Sequence, residues 1–197
     1  MLSITLRRSL KRSNASAITP FSVLSSDGKR DRFGMSNQAS LYSRYRPRYS
    51  PQIINAITSK VQNWDTYIDW ACGSGQLTDK LAYKFNDAYG IDKSFQQLKY
   101  MDSKIKQVVN HDFNLHNSFE DGSVDLITVA QAFHWLTPHE KFFKEVDRLL
   151  KPERGVFVIV GYTRPFLVNN DLNEIWESFY FDQLGNYYGL LRDFSRT

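Results

Sequence analysis

Two carboxylates and two glycines carry the clearest chemical signal in this chain. Asp69 lies in a short apolar run, Tyr67–Trp70, that leads directly into ACGSGQLT. Gly73 and Gly75 have no Cβ, so the backbone there can turn tightly and come close to a ligand. Asp92 ends the next apolar run, Ala88–Ile91. A carboxylate there can accept hydrogen bonds from both hydroxyls of a ribose, if the two runs are neighbouring strands of an open parallel sheet.

Dinucleotides and S-adenosylmethionine both suit that arrangement, and two residues separate them. The dinucleotide fingerprint asks for a third glycine three residues after the second, where this chain has Thr78. It also seats a pyrophosphate on the helix N-terminus, and the carboxylate of Asp69 just ahead would repel it. A sulfonium with an amino-acid tail tolerates both features. The plainer alternative is a strand–turn–helix connection whose glycines only make the turn.

Other residue types suited to chemistry are sparser. His134 and Trp135 follow an apolar run, Val124–Ala130. His134 can act as a general base or hold a substrate, or simply bond its own loop. Trp135 suits a pocket wall or a cation–π contact. Arg46 can pair bidentately with a substrate carboxylate or remain a solvated charge. Tyr42 and Tyr45 can line the site or only pack. Cys72, the single cysteine, reads as a small loop residue, and no disulfide can form within the chain. His111, His116 and His139 show no metal-ligand spacing with carboxylates, so no metal is expected.

These residues need strands and helices in alternation. Pro51–Lys60 reads as a helix with Ile53, Ile54 and Ile57 on one face. Strand Tyr67–Trp70 leads to a helix over Gln76–Phe85, then strand Ala88–Ile91 and a helix over Phe95–Ile105. Val108–Asn110 and Val124–Ala130 read as strands, His139–Leu150 as a helix, and Val156–Val160 as a strand buried on both faces. Such alternation implies right-handed crossovers and a doubly wound, mostly parallel α/β sheet with helices on both faces.

Four regions follow: a basic extension over 1–33, a cap segment and helix over 34–65, the α/β core over 66–162, and a helical C-terminal segment over 163–197. The chain has 25 Lys+Arg against 21 Asp+Glu. Arg7, Arg8, Lys11 and Arg12 supply the whole excess, so a generally basic nucleic-acid surface is not indicated. The extension is Ser-rich and free of acid, and Leu2, Leu6 and Leu10 can share a helical face. That composition matches a mitochondrial transit peptide. A solvated tail is the alternative, and Met35 offers a second start that would give a cytoplasmic form. No apolar run approaches a bilayer span.

Taken in order, these segments resemble the class I S-adenosylmethionine-dependent methyltransferases, in particular the small-molecule branch of trans-aconitate methyltransferase-like proteins. YIDWACGSGQLT is similar to the family's first motif, with Ala71 where glycine is usual. GIDKS is similar to the second, with Asp92 as ribose ligand. NHDFN is similar to the loop after the third strand, which implies that Asp112 meets the adenine amino group and Phe113 its surroundings. FEDGSVDLITVAQAFHWL is similar to the fourth strand and active-site loop, which implies Gln131 at the cofactor. KEVDRLLKPERGVFVIVGY matches the following helix and strand, and YSRYRPRY the segment that closes over the cofactor.

The resemblance implies a Rossmann-like fold, S-adenosyl-L-methionine as cofactor, and a small-molecule acceptor methylated on a carboxylate or hydroxyl. The cofactor residues it implies are Asp69, Ala71, Gly73, Gly75, Asp92, Asp112, Phe113 and Gln131. The candidates for chemistry are His134, Arg46 and Tyr42. No nucleic-acid or membrane partner is expected. The family's last two strands have no counterpart over 163–197, so a catalytically weak S-adenosylmethionine-binding regulatory protein, a truncated isoform, is the second expectation.

Overall fold

The structure is a computed structural model, and it describes residues 2–8, 49–162 and 166–183. The calls on Tyr42, Tyr45 and Arg46 lie outside the described residues. By contact density the chain divides into Leu2–Gly161 and a unit beginning at Tyr162.

In the larger unit the elements run β1 (Leu2–Arg8), α1 (Pro51–Thr58), β2 (Thr66–Trp70), α2 (Thr78–Leu81), β3 (Asp87–Asp92), α3 (Phe95–Leu98), β4 (Lys106–Val109), β5 (Leu126–Ala130), α4 (His139–Leu149) and β6 (Val156–Tyr162). The sheet order is β1-β6-β5-β2-β3-β4. β2 to β6 are all parallel. This is the doubly wound α/β fold that the alternation of runs implies.

The strands bury both faces, and their residues alternate between two cores. Ile68, Trp70, Ile127, Val129 and Phe157 join Phe142, Val146 and Leu149 of α4 on one face. Tyr67, Leu126, Val156, Val158 and Val160 join Ile54 and Ile57 of α1, with Leu77 and Leu81 at α2, on the other. A strand apolar at every position needs a helical layer on each side, and these helices supply them.

Three segments differ from their periodicity. The expected helix over Gln76–Phe85 contracts to α2 and a 3-10 turn, Ala82–Lys84, although Leu77, Leu81 and Phe85 are all buried. The expected helix over Phe95–Ile105 stops at Leu98. Leu98, Met101 and Ile105 still point inward, but Tyr100 and Met101 bond back three residues and Asp102 Oδ1 accepts from Lys104 N–H at 2.9 Å. That Asx turn competes with helix continuation. The third is at the N-terminus, where Leu2–Arg8 is a strand beside β6 and not a helix. Leu2, Ile4 and Leu6 also alternate with Ser3, Thr5 and Arg7, and a neighbouring sheet edge rewards that two-residue period.

In the second unit α5 (Asn170–Ser178) is capped by Asn169, whose Oδ1 accepts from Leu172 N–H at 3.0 Å, and a π-turn follows over Phe179–Gln183. No strand follows β6 among the described residues.

Candidate functional site

The carboxyl ends of β2, β3, β4 and β5 lie together, because the register pairs Asp69 with Gly90, Asp69 with Thr128, and Asp92 with Val109. Ligands of open parallel sheets bind outside this end. At β2 the chain passes through Ala71 at φ 54°, Gly73 at φ 59° and Gly75 at φ 86°. Gly75 N–H closes the turn on the Cys72 carbonyl at 3.1 Å. A Cβ on Gly75 would meet Asp79 Oδ1 at 2.9 Å and Met101 Cγ at 3.1 Å, so a side chain there would have to displace both as well as adopt a strained angle.

Asp92 fastens this loop to β3. Its Oδ2 accepts from Gly73 N–H at 2.9 Å and its Oδ1 from Ser94 N–H at 2.8 Å. Each oxygen keeps a lone pair, enough for two hydroxyls. Burial raises its pKa, opposed by the backbone N–H groups of Ser94 and Gly73.

Asp69 lies beneath the loop with 1% exposure. Its Oδ2 accepts from Thr78 Oγ1 at 2.5 Å and its Oδ1 from Thr128 Oγ1 at 2.7 Å. Thr128 spends its one proton there, so Tyr67 OH, 2.9 Å away, donates to Thr128. Burial pushes the Asp69 carboxyl up to about 6, against the two threonine bonds that lower it. With both oxygens engaged, Asp69 holds the loop's foundation. Thr78, fully buried, occupies the place where a dinucleotide loop has its third glycine.

At the end of β4 an Asx network shapes NHDFN. Asn110 Oδ1 accepts from Phe113 N–H at 3.0 Å, and Asp112 Oδ1 accepts from Asn114 N–H at 3.0 Å. Asp112 is exposed. Phe113, at φ 64°, makes an edge-type ring contact with Trp70, centroids 6.3 Å apart. At the end of β5, Gln131 stands at φ 57° with its N–H bonded to the Val160 carbonyl at 2.8 Å. Its Nε2 is buried without a partner among the described residues. A 3-10 turn then presents His134 and Trp135, ring centroids 4.7 Å apart, both exposed. Partial desolvation lowers the His134 pKa, which favours the neutral ring.

The structure thus brings Asp69, Ala71, Gly73, Gly75, Asp92, Asp112, Phe113, Gln131 and His134 to the carboxyl ends of neighbouring strands. His139 is drawn away: its ring stacks on Phe133 at 4.4 Å and its Nε2 meets the Phe133 carbonyl at 3.2 Å. Thr128, Tyr67 and Gly90 are contributors that sequence reasoning missed. Gly90 admits Met101, whose Sδ would lie 2.7 Å from a Cβ there; a lone glycine inside a strand signals such an approach. Thr128 carries no local signal, because its partner is 59 residues away. No group of three potential metal ligands occurs among the described residues, and no described helix is long and apolar enough to cross a membrane.

The fold is a Rossmann-like α/β sheet whose carboxyl edge carries a glycine turn fastened by Asp92. Residues 68–159 match a family model described as a methyltransferase domain. A Dictyostelium discoideum chain named as a methyltransferase is 33% identical over 164 residues, 80% of this chain and 59% of its own length. A solved chain from Anaeromyxobacter dehalogenans, described as a type II methyltransferase, superposes with TM-score 0.60 and 25% identity, over 72% of this chain and 59% of that one. Another, from Methanococcus maripaludis and described as an S-adenosyl-L-methionine-dependent methyltransferase, shares the fold with TM-score 0.60 and 19% identity, over 85% and 80%. By these matches the chain is similar to methyltransferases, and the two solved chains share its Rossmann-like fold. The chain spans about half the length of the curated relatives it matches, between 45% and 59% for three of them.

Proposed function

We propose that this protein binds S-adenosylmethionine and transfers its methyl group to an oxygen of a small molecule, a carboxylate or a hydroxyl. The carrying observation is Asp92, which fastens the Gly73 turn and keeps a free lone pair on each oxygen at the carboxyl edge of the sheet. The resident residues suit that cofactor. The glycines let the backbone approach, Thr78 fills the place a dinucleotide loop leaves open, and the Gln131 amide is a buried donor without a partner among the described residues.

Bound S-adenosylmethionine supplies a methyl on a sulfonium, already a strong electrophile. The protein's task is then to align an acceptor and exclude water. His134, favoured as the neutral ring, can take the proton of a hydroxyl acceptor at its unprotonated nitrogen. A carboxylate acceptor needs no base and calls for a cation. Arg46 is proposed for that pairing and Tyr42 for lining the same space, with the resemblance to the trans-aconitate-like branch as motive. Asp112 and Phe113 are proposed for the adenine end.

Calorimetric titration with S-adenosylmethionine and its demethylated product tests the reading. Micromolar binding is expected, and Asp92→Ala should weaken it at least tenfold, about 1.4 kcal/mol. No binding by folded protein overturns it. Binding with no turnover of any acceptor would favour the regulatory alternative, and methylation confined to protein or RNA would refute the small-molecule assignment.

A further inference from the structure

Ser94 and Gln97 stand three residues apart at the start of α3, the S-x-x-Q spacing of a capping box. In that motif the serine hydroxyl accepts from the glutamine N–H, and the glutamine side chain accepts from the serine N–H. Here neither bond forms. Ser94 N–H donates to Asp92 Oδ1 at 2.8 Å, Gln97 N–H donates to the Ser94 carbonyl at 3.0 Å, and the Ser94 side chain makes no cap bond. Asp92 has therefore displaced the box and released two polar side chains.

Both are nevertheless buried, Ser94 at 6% and Gln97 at 4% exposure. Ser94 Oγ and Gln97 Oε1 have no partner among the described residues. A buried polar atom left unpaired is costly, and native proteins hold few without a reason. The position of Gln97 supplies one. Its Oε1 lies 3.9 Å from where a Cβ of Gly73 would begin. Gly73 N–H is bonded to Asp92 Oδ2 at 2.9 Å. The Gln97 carboxamide and the Asp92 carboxylate thus both reach one glycine of the loop. Gln76 Oε1 reaches the same point at 3.9 Å, but its Nε2 is spent within the loop on Ser74 Oγ at 2.8 Å. Of the two, it is the Gln97 oxygen that is buried without a partner among the described residues.

We propose that Gln97, supported by Ser94, contacts the ribose of the cofactor and accepts a hydrogen bond from a hydroxyl that Asp92 also holds. This rests on the cofactor reading above. The capping box is surrendered in the free protein so that its side chains can serve the ligand.

The test is calorimetry on the full chain with S-adenosylhomocysteine and its 2′-deoxy and 3′-deoxy analogues, for wild type, Gln97→Met and Ser94→Ala. Gln97→Met keeps length and volume but removes the carboxamide. It should weaken S-adenosylhomocysteine at least fivefold, bind one deoxy analogue as tightly as wild type does, and not lower the thermal midpoint of the free protein. Equal affinity in wild type and Gln97→Met overturns the proposal, and so does an equal penalty on all three ligands, which marks a packing role. If Gln97→Met does not fold, Ser94→Ala decides. A loss on S-adenosylhomocysteine that vanishes on a deoxy analogue supports the contact, and no loss overturns it. Failure of the wild type to bind at all overturns the cofactor reading first and this inference with it.

Discussion

Ala71 shows what one residue costs when its backbone is chosen by a neighbour. It adopts φ 54°, the left-handed region, where an L-residue is disfavoured by about 1–2 kcal/mol. It stands where the family resemblance leads one to expect glycine. Three of the four non-glycine residues at positive φ among the described residues, Ala71, Phe113 and Gln131, follow strands at the carboxyl edge of the sheet. Strain gathers at sites where the surrounding structure over-determines the backbone. Ala71→Gly should relieve the strain while adding freedom to the unfolded chain, for a net gain of about 0.5–1 kcal/mol. A thermal midpoint raised by a few degrees checks this; an unchanged or lower one would show that the Ala71 methyl, packed against the core, offsets its strain.

At the scale of elements, one buried polar chain ties three of them. Tyr67 and Asp69 lie on β2, Thr128 on β5 and Thr78 at the start of α2, joined at 2.9, 2.7 and 2.5 Å. Burial lifts the Asp69 carboxyl from 3.8 to about 6, so between those values the folded protein binds a proton that the unfolded chain does not. Stability from this group therefore rises as pH falls from about 6 to about 4 and is lost as pH rises through the folded value. Asp92, Asp79, Tyr67 and Cys72 are the titratable neighbours, and none is a cation. Denaturant curves for wild type and Asp69→Asn should diverge over that window, the wild type gaining on the order of 2–3 kcal/mol toward acid relative to the variant. Parallel curves would mean that Asp69 titrates normally. In helix α4, by contrast, Phe142, Val146 and Leu149 recur at helical spacing and all are buried, so its inward face is legible in the sequence.

Over the whole molecule, the charge and the sheet meet at the N-terminus. The positive excess of the chain lies in residues 7–12, while Leu2–Arg8 forms the strand next to β6. We propose residues 1–33 as a mitochondrial targeting segment on composition. A reporter fused behind residues 1–33 should then collect in mitochondria. Diffuse signal from that fusion, or from a product started at Met35, would leave the cytoplasmic alternative standing.

The sequence by itself determined the features that depend on near neighbours. The strand–helix alternation, the glycine turn between β2 and α2, Asp92 at the end of β3 and the inward stripe of α4 all follow from spacings of a few residues. Apolar periodicity and glycine's conformational freedom act over that range. Tertiary structure decided what depends on partners distant in sequence. It placed Leu2–Arg8 on a sheet edge and enclosed Asp69 between Thr78 and Thr128. The loss of the Ser94–Gln97 cap is by contrast a local competition, since Asp92, two residues before Ser94, takes the donor that the cap required. A hydrogen-bond donor serves the best acceptor that folding brings to it, and only the folded chain settles which acceptor that is.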